Sequence, residues 1–339
     1  MPSTRFPRFT RRSLAALAPA AALASLAPAR LLAQTAAAAS SGWLPTHPIR
    51  FVISGGPGSG SDMTGRLVAN QLTGPLKQPF VVENQAGAGG TMASDASAKS
   101  AADGMTWTLL SSAAATQAAI MKQLPFDTLK DLAYVSTLSV YPIVLSVAID
   151  SPIKDFADFI RRAKAAPGKL TYSSVGIGSA YHFVGELVAG ESGTEILHVP
   201  FRSGAGPLVE VLSGRVDVMI DSAAATSVQV KGGKMRALAV TSPQRNDQFP
   251  GVPALSEFYP NLQYESWLAI ACAAKTPPEA IARINQEVKL VLADPQIAAR
   301  MQEQGQRATW SSPEDTRARM ERDIAKFRQI VASRNIERQ

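Results

Sequence analysis

Five stretches of this chain bring glycine, serine and aspartate together where an apolar run gives way to a helical pattern. The first is Gly55-Gly56-Pro57-Gly58-Ser59-Gly60-Ser61-Asp62, which follows the apolar run Ile49–Ile53. The second is Asn84-Gln85-Ala86-Gly87-Ala88-Gly89-Gly90-Thr91, and the third Gly176-Ile177-Gly178-Ser179. Arg202-Ser203-Gly204-Ala205-Gly206 and Asp221-Ser222 complete the set. Glycine lets a backbone approach a ligand closely. The free N–H groups of a helix's first turn, with the helix dipole, attract negative charge. The chemistry on offer is capture of a carboxylate by main chain. Any one of these loops alone reads equally well as a tight turn with a Ser or Asp cap; five in one chain favour a ligand.

Other chemistries find less support. The first loop lacks the lysine of a phosphate-binding P-loop. Gly56 and Gly58 match the start of a dinucleotide fingerprint, but Ser61 stands where its third glycine belongs. Glu83 sits where a ribose-binding acid would, so an exported nucleotide-dependent oxidoreductase is kept as an alternative. The three histidines, His47, His182 and His198, show no metal-ligand spacing, and no G-x-S-x-G elbow occurs. A Ser59–His182–Asp221 triad has no spacing behind it. No catalytic step, metal or cofactor is expected. Cys272 is the single cysteine, in an apolar run; it reads as a small buried hydrophobe, with a catalytic thiol the minor reading. His182 either meets a ligand or caps its own helix.

The elements that must hold these loops follow from periodicity. Strands are expected at 49–53, 80–83, 106–110, 143–147, 170–173, 196–199, 216–220 and 237–241, with a further strand region at 262–273. Helices are expected at 63–72, 93–100, 156–165, 181–189 and 207–212, then 278–292, 295–305 and 313–331, each of the last three with Pro near its start. Alternation of this kind implies parallel sheets with crossover helices, whose ligands dock at the strands' carboxyl ends. "IRFVISGGPGSGSDMTGRLV" and "LTYSSVGIGSAYHFVGELV" repeat one plan in the two halves, which points to two lobes facing a cleft.

The formal net charge of +7 raises a nucleic-acid partner. However, Arg5, Arg8, Arg11, Arg12 and Arg30 all lie in the first 33 residues, where there is no Lys, Asp or Glu. Without those five, 29 basic residues stand against 27 acidic ones, a net of +2. The nucleic-acid reading therefore loses its basis. Residues 1–33 read as an export signal, cleaved after Ala29 or Ala33, and Arg11-Arg12 leaves Sec and twin-arginine routes open. Residues 34–44 read as a tether. The charged tail from Glu314 reads as a packed amphipathic helix.

"PIRFVISGGPGSGSD", "QPFVVENQAGAGGTMASDASAKSAADGMTWTLL", "GKLTYSSVGIGSAYHFVGEL" and "HVPFRSGAGPLVEVLSGRVDVMIDS" occur in order, with "GKMRALAVTSPQR" and "FPGVPALSE" beyond them. From Pro45 onward the chain resembles the Bug family, the extracytoplasmic solute receptors of tripartite tricarboxylate transporters. The resemblance implies an α/β, two-lobed periplasmic binding protein of the Venus-flytrap type II class, with parallel-rich sheets and crossover helices. It implies a monomeric, exported receptor, with a small organic carboxylate and membrane permease subunits as partners. A receptor that signals through a sensor kinase is the rival within this class. Lobe 1 is expected at 45–138 and 249–339 and lobe 2 at 139–242, with hinge strands near 139–142 and 241–248.

By the same resemblance, lobe 1 presents Gly58, Ser59, Gly60, Ser61 and Asp62 to the ligand, with Gly89, Gly90 and Thr91 beside them and Ser111 and Ser112 ending the third strand. Lobe 2 presents Gly178, Ser179, His182, Phe201, Arg202, Asp221 and Ser222. Arg202 is read as pairing either with a second ligand carboxylate or with Asp221. The chain departs from the family where Ser54-Gly55-Gly56-Pro57 replaces an aromatic residue and two prolines, where Gln85-Ala86 replaces Arg-Pro, and where Ile177 replaces a polar residue.

Overall fold

The apolar run IRFVI forms β1 (Ile49–Ile53), with four of its five residues buried, as expected of a strand covered on both faces. It pairs in parallel with β2 (Phe80–Asn84) and β3 (Thr106–Ser111). The computed structural model describes residues 42–201 and 206–339, and Leu44–Gln339 packs as one compact unit. The export signal, most of the tether and Arg202 lie outside the described residues.

Two α/β lobes share a curled mixed sheet of order β2-β1-β3-β9-β4-β7-β5-β6, with β8 and β10 also paired to β4. β4 (Leu132–Ala148) is 17 residues long. Leu132–Pro142 runs antiparallel to β9 (Glu265–Ala273), and Ile143–Ser146 runs antiparallel to β7 (Val218–Ser222). β8 (Met235–Val240) pairs with the end of β4, and β10 (Arg307–Ala308) with Ser139 and Val140. In the second lobe, β5 (Thr171–Ser174) lies parallel to β6 (Leu197–Pro200) and to β7. The parallel pairing expected from the alternation holds for β1 with β2 and β3 and for β5 with β6 and β7, while β9 runs antiparallel to both β3 and β4, and β7 and β8 run antiparallel to β4.

The expected strand 143–147 is the second half of β4. Its first half escaped notice because Ser and Thr interrupt the apolar run and Pro142 reads as a strand breaker. Pro142 lies opposite Glu265, and Ile143, the next residue, already pairs with β7. The missing N–H thus falls where the strand changes partner.

The helices follow caps and apolar stripes. α1 (Gly60–Leu76), α2 (Thr91–Ala98), α4 (Phe156–Ala165), α5 (Ala180–Ser192) and α6 (Gly206–Leu212) lie where expected. So do α8 (Pro278–Ala293), α9 (Pro295–Glu303) and α10 (Pro313–Ser333). Two were missed, α3 (Ala113–Ile120) and α7 (Ala223–Lys231). Both open with Ala-Ala-Ala-Thr, which gives no apolar stripe, so packing rather than amphipathicity holds them. α10 buries Met320, Ile324 and Phe327, with Phe327 against Phe183 and Tyr264. Nearby, Trp267 donates from Nε1 to Asp323 at 2.7 Å. Among the described residues no helix is long and apolar enough to cross a membrane.

Candidate functional site

The loop after β1 is built around Asp62. Ser59 caps α1 by accepting the Asp62 N–H. The Asp62 carboxylate in turn accepts from the Gly58 N–H at 2.9 Å, Asn84 Nδ2 at 2.8 Å and Arg66 Nε at 2.9 Å. Burial alone would raise its pKa, but the bonds from Asn84 and Gly58 and the charge of Arg66 outweigh that and hold it below the usual range. Asp62 was expected to face a ligand. It is 4% exposed and spends its carboxylate on the loop instead. Gly55 has no room for a side chain, because a Cβ there would stand 2.0 Å from Ser61 Oγ. The Gly60 and Ser61 amides, first in the helix, are left without intrahelical acceptors.

Ser59, Gly60 and Ser61 line a cavity of about 370 Å³. Ser111, at the end of β3, lines it too. From the second lobe come Ser222, Ala224 and Ala225 at the start of α7, and Tyr181 in the first turn of α5. Ser222 caps α7 by accepting the Ala225 N–H. Two helix N-termini from opposite lobes therefore open onto one space. None of the described residues lining it is Lys, Arg or His.

Of the expected residues that the structure describes, the others are not on the lining of this cavity. Gly89 and Gly90 hold left-handed turns ahead of α2; a Cβ on Gly90 would stand 3.2 Å from Ser54, and one on Gly89 2.4 Å from Gln117. They let the second loop lie against the first, with Thr91 opening α2. Ser112 is buried, bonded through its hydroxyl to Ser266 at 2.6 Å. Gly178 (φ +76°) abuts Ile120, where a Cβ would come within 2.8 Å. Ser179 caps α5 by accepting the His182 N–H. Phe201 is half-buried against the Val211, Val216 and Met219 cluster, its ring over Gly206.

His182 turns away from the cavity. Its Nδ1 accepts the Gly178 N–H, and its ring stacks on His198 at 4.1 Å between centroids. Burial lowers the pKa of His182 despite Glu186, and lowers that of His198 to about 3. Of the two readings of His182, helix-end support is the one its hydrogen bonds match. Asp221 accepts the Ser222 N–H at 2.6 Å. Burial pushes its pKa up, against hydrogen bonds from Ser222 and Tyr181, and it is not on the cavity lining. Cys272 is a buried thiol, raised by burial to about 11.

Sequence reasoning passed over Tyr141, Tyr181 and the turn Gln304–Gln306, all on the cavity lining. One signal was available. Ser112–Thr116 and Ser222–Thr226 share the sequence SAAAT, each at the end of a strand. That echo marks the two missed helices as equivalent elements, and α7 as a cavity wall. Nothing local distinguishes Gln304–Gln306.

Residues 64–336 match the family described as tripartite tricarboxylate transporter family receptor. Protein BugT of Bordetella pertussis is 32% identical over 299 residues, covering 87% of this chain and 92% of BugT. A UPF0065 protein from the tcbD–tcbE intergenic region of Pseudomonas sp. (strain P51) is 30% identical over 273 residues, 80% of this chain and 81% of that protein. Among solved structures, R. palustris Rpa4515 with adipate superposes with a TM-score of 0.77 at 29% identity, covering 85% of this chain and 97% of that one. MatC (Rpa3494) from Rhodopseudomonas palustris with bound malate gives 0.75 at 25%, covering 85% and 100%.

Proposed function

The chain belongs to the receptor family of the tripartite tricarboxylate transporters, and from that premise we propose that it is an exported periplasmic receptor that captures a small carboxylate in its cleft and delivers it to membrane permease subunits. The observation that carries this reading is the meeting of two helix N-termini, of α1 and α7, at one cavity of about 370 Å³. Each terminus presents roughly half a positive charge through its free amides. Once closure excludes water, those partial charges act more strongly on a carboxylate, because the local dielectric is lower. Rpa4515 with adipate and MatC with malate, at 29% and 25% identity, support a carboxylate as the ligand class.

In this reading Ser59, Gly60 and Ser61 hold a carboxylate on the first lobe. Ser222 and the first amides of α7 meet the ligand from the second lobe. Ser111, Tyr141 and Tyr181 supply hydroxyls, and Asp221 orients Tyr181 and Ser222. Gly89, Gly90, Thr91, Ser112, Gly178 and Ser179 act by holding these loops. Lobe 1 is assigned to 45–138 and 249–339 and lobe 2 to 139–242. The β4 crossing at Pro142 and the return through 241–248 serve as hinges, and closure excludes water and changes the face offered to the permease.

Native mass spectrometry of the mature protein, followed by a thermal-shift screen of organic acids, tests this. A co-purified acid, or a saturable rise in melting temperature with one, supports it. A bound nucleotide with no response to any acid overturns it and revives the oxidoreductase alternative.

A further inference from the structure

The turn between α9 and β10 touches three of the segments that shape the cavity. Gln306 is 6% exposed, and its carboxamide is used on both sides. Oε1 accepts the Ser139 hydroxyl of β4 at 2.5 Å, and Nε2 donates to the Gly60 carbonyl of α1 at 3.3 Å. Gln304 Oε1 accepts the Thr64 hydroxyl one turn further along α1. Gly305 has φ +74°, and a Cβ there would stand 2.8 Å from the Ala224 nitrogen and 3.0 Å from its Cα. So the same turn carries the start of α7 in van der Waals contact. Gly305 and Gln306 also separate this cavity from a second one of about 330 Å³ behind them.

A buried primary amide that satisfies one acceptor and one donor on two different elements fixes their relative position. Without the donor, the first turn of α1 is tied at Thr64 but not at Gly60, where the cavity begins. We infer that Gln306 is a positioning residue for ligand capture. It locks the first turn of α1 to the crossover strand, so that the Gly60 and Ser61 amides open onto the cavity, while Gly305 provides the bare surface on which α7 rests. This rests on the reading of the cavity as a carboxylate site.

The test uses the full mature chain as wild type, Gln306→Met and Gln306→Glu. Methionine keeps the volume and loses both hydrogen bonds. Glutamate keeps the acceptor for Ser139 and sets an oxygen against the Gly60 carbonyl. Hydrogen–deuterium exchange without ligand is compared with calorimetric titration of succinate, malate, adipate, citrate, glutamate and benzoate. Both variants are expected to exchange the hydrogen-bonded amides within 59–64 at least tenfold faster while β1, β3 and β9 keep their rates. The acid that the wild type binds is expected to bind at least tenfold more weakly. Unchanged exchange at 59–64, unchanged affinity, or faster exchange spread evenly over the sheet would each overturn the assignment. If the wild type binds none of the six acids, the carboxylate reading falls and the exchange measurement alone decides the role of Gln306. Gly305→Asn, which tolerates the left-handed conformation but adds a Cβ, should weaken binding without changing exchange at 59–64. Equal affinity there would remove the α7 contact from the proposal.

Discussion

Gly60 and His182 show how differently two expected site residues are used. Gly60 opens onto the cavity, and a Cβ there would meet only Gln306 Nε2, at 3.5 Å. Gly60→Val should therefore fold, fill the space over the α1 amides and weaken acid binding at least a hundredfold, about 2.7 kcal/mol. Calorimetric titration beside a circular dichroism spectrum reads both halves of that expectation, and an unchanged dissociation constant would remove Gly60 from the site. His182, buried, and His198, half-buried, instead form a stacked pair. Burial depresses both pKa values, that of His198 to about 3, below the unfolded value of ~6.5. The neutral pair is thus favoured by the fold. Its contribution is complete above about pH 6.5 and is lost as pH falls toward 3, because the unfolded chain binds more protons. Urea unfolding should show a loss of roughly 1–2 kcal/mol between pH 7 and pH 5. His198→Phe should flatten that dependence, and an equal slope in the variant would assign the protons elsewhere.

At the scale of the element, the same capping device recurs with and without a ligand role. Ser222 caps α7 at the cavity, and Ser312, which is not on the cavity lining, caps α10 by accepting the Asp315 N–H at 3.0 Å. Ser222→Ala and Ser312→Ala should each cost about 1 kcal/mol of stability. Only the first should also weaken acid binding, so equal affinities in the two variants would sink the role given to α7. α5 makes a packing prediction. A Cβ on Gly185 would stand 2.2 Å from the Tyr172 ring, which stacks on His198. Gly185→Ala should destabilise the protein by about 1–3 kcal/mol in urea unfolding through overpacking. The first-loop helix was legible because Ser59 precedes a clear apolar stripe. α3 and α7 were not, because their alanine runs carry no apolar stripe, even behind the Ser222 cap, and their helicity depends on what packs against them.

Across the whole molecule, β4 runs through both lobes and ties their sheets together. Its 17 residues pair with strands of both lobes, and nearly all are buried. Scanning calorimetry of the mature chain should give a single transition that an acid ligand raises as a whole; two separated transitions would mean that the lobes unfold independently. The sequence by itself determined the α/β alternation, the glycine loops at strand ends, the capped helices with proline starts and the discounting of the net charge. Each of these is written in local periodicity or in single residue types, and local chemistry is enough to read them. Only the tertiary structure decided that Asp62 serves its own loop and that His182 faces inward. It alone brought Tyr141, Tyr181 and Gln304–Gln306 to the cavity. Those outcomes depend on contacts between residues as far apart as Gly60 and Gln306. No local pattern encodes such a pairing, because it arises only when the sheet curls and the chain returns to the first lobe.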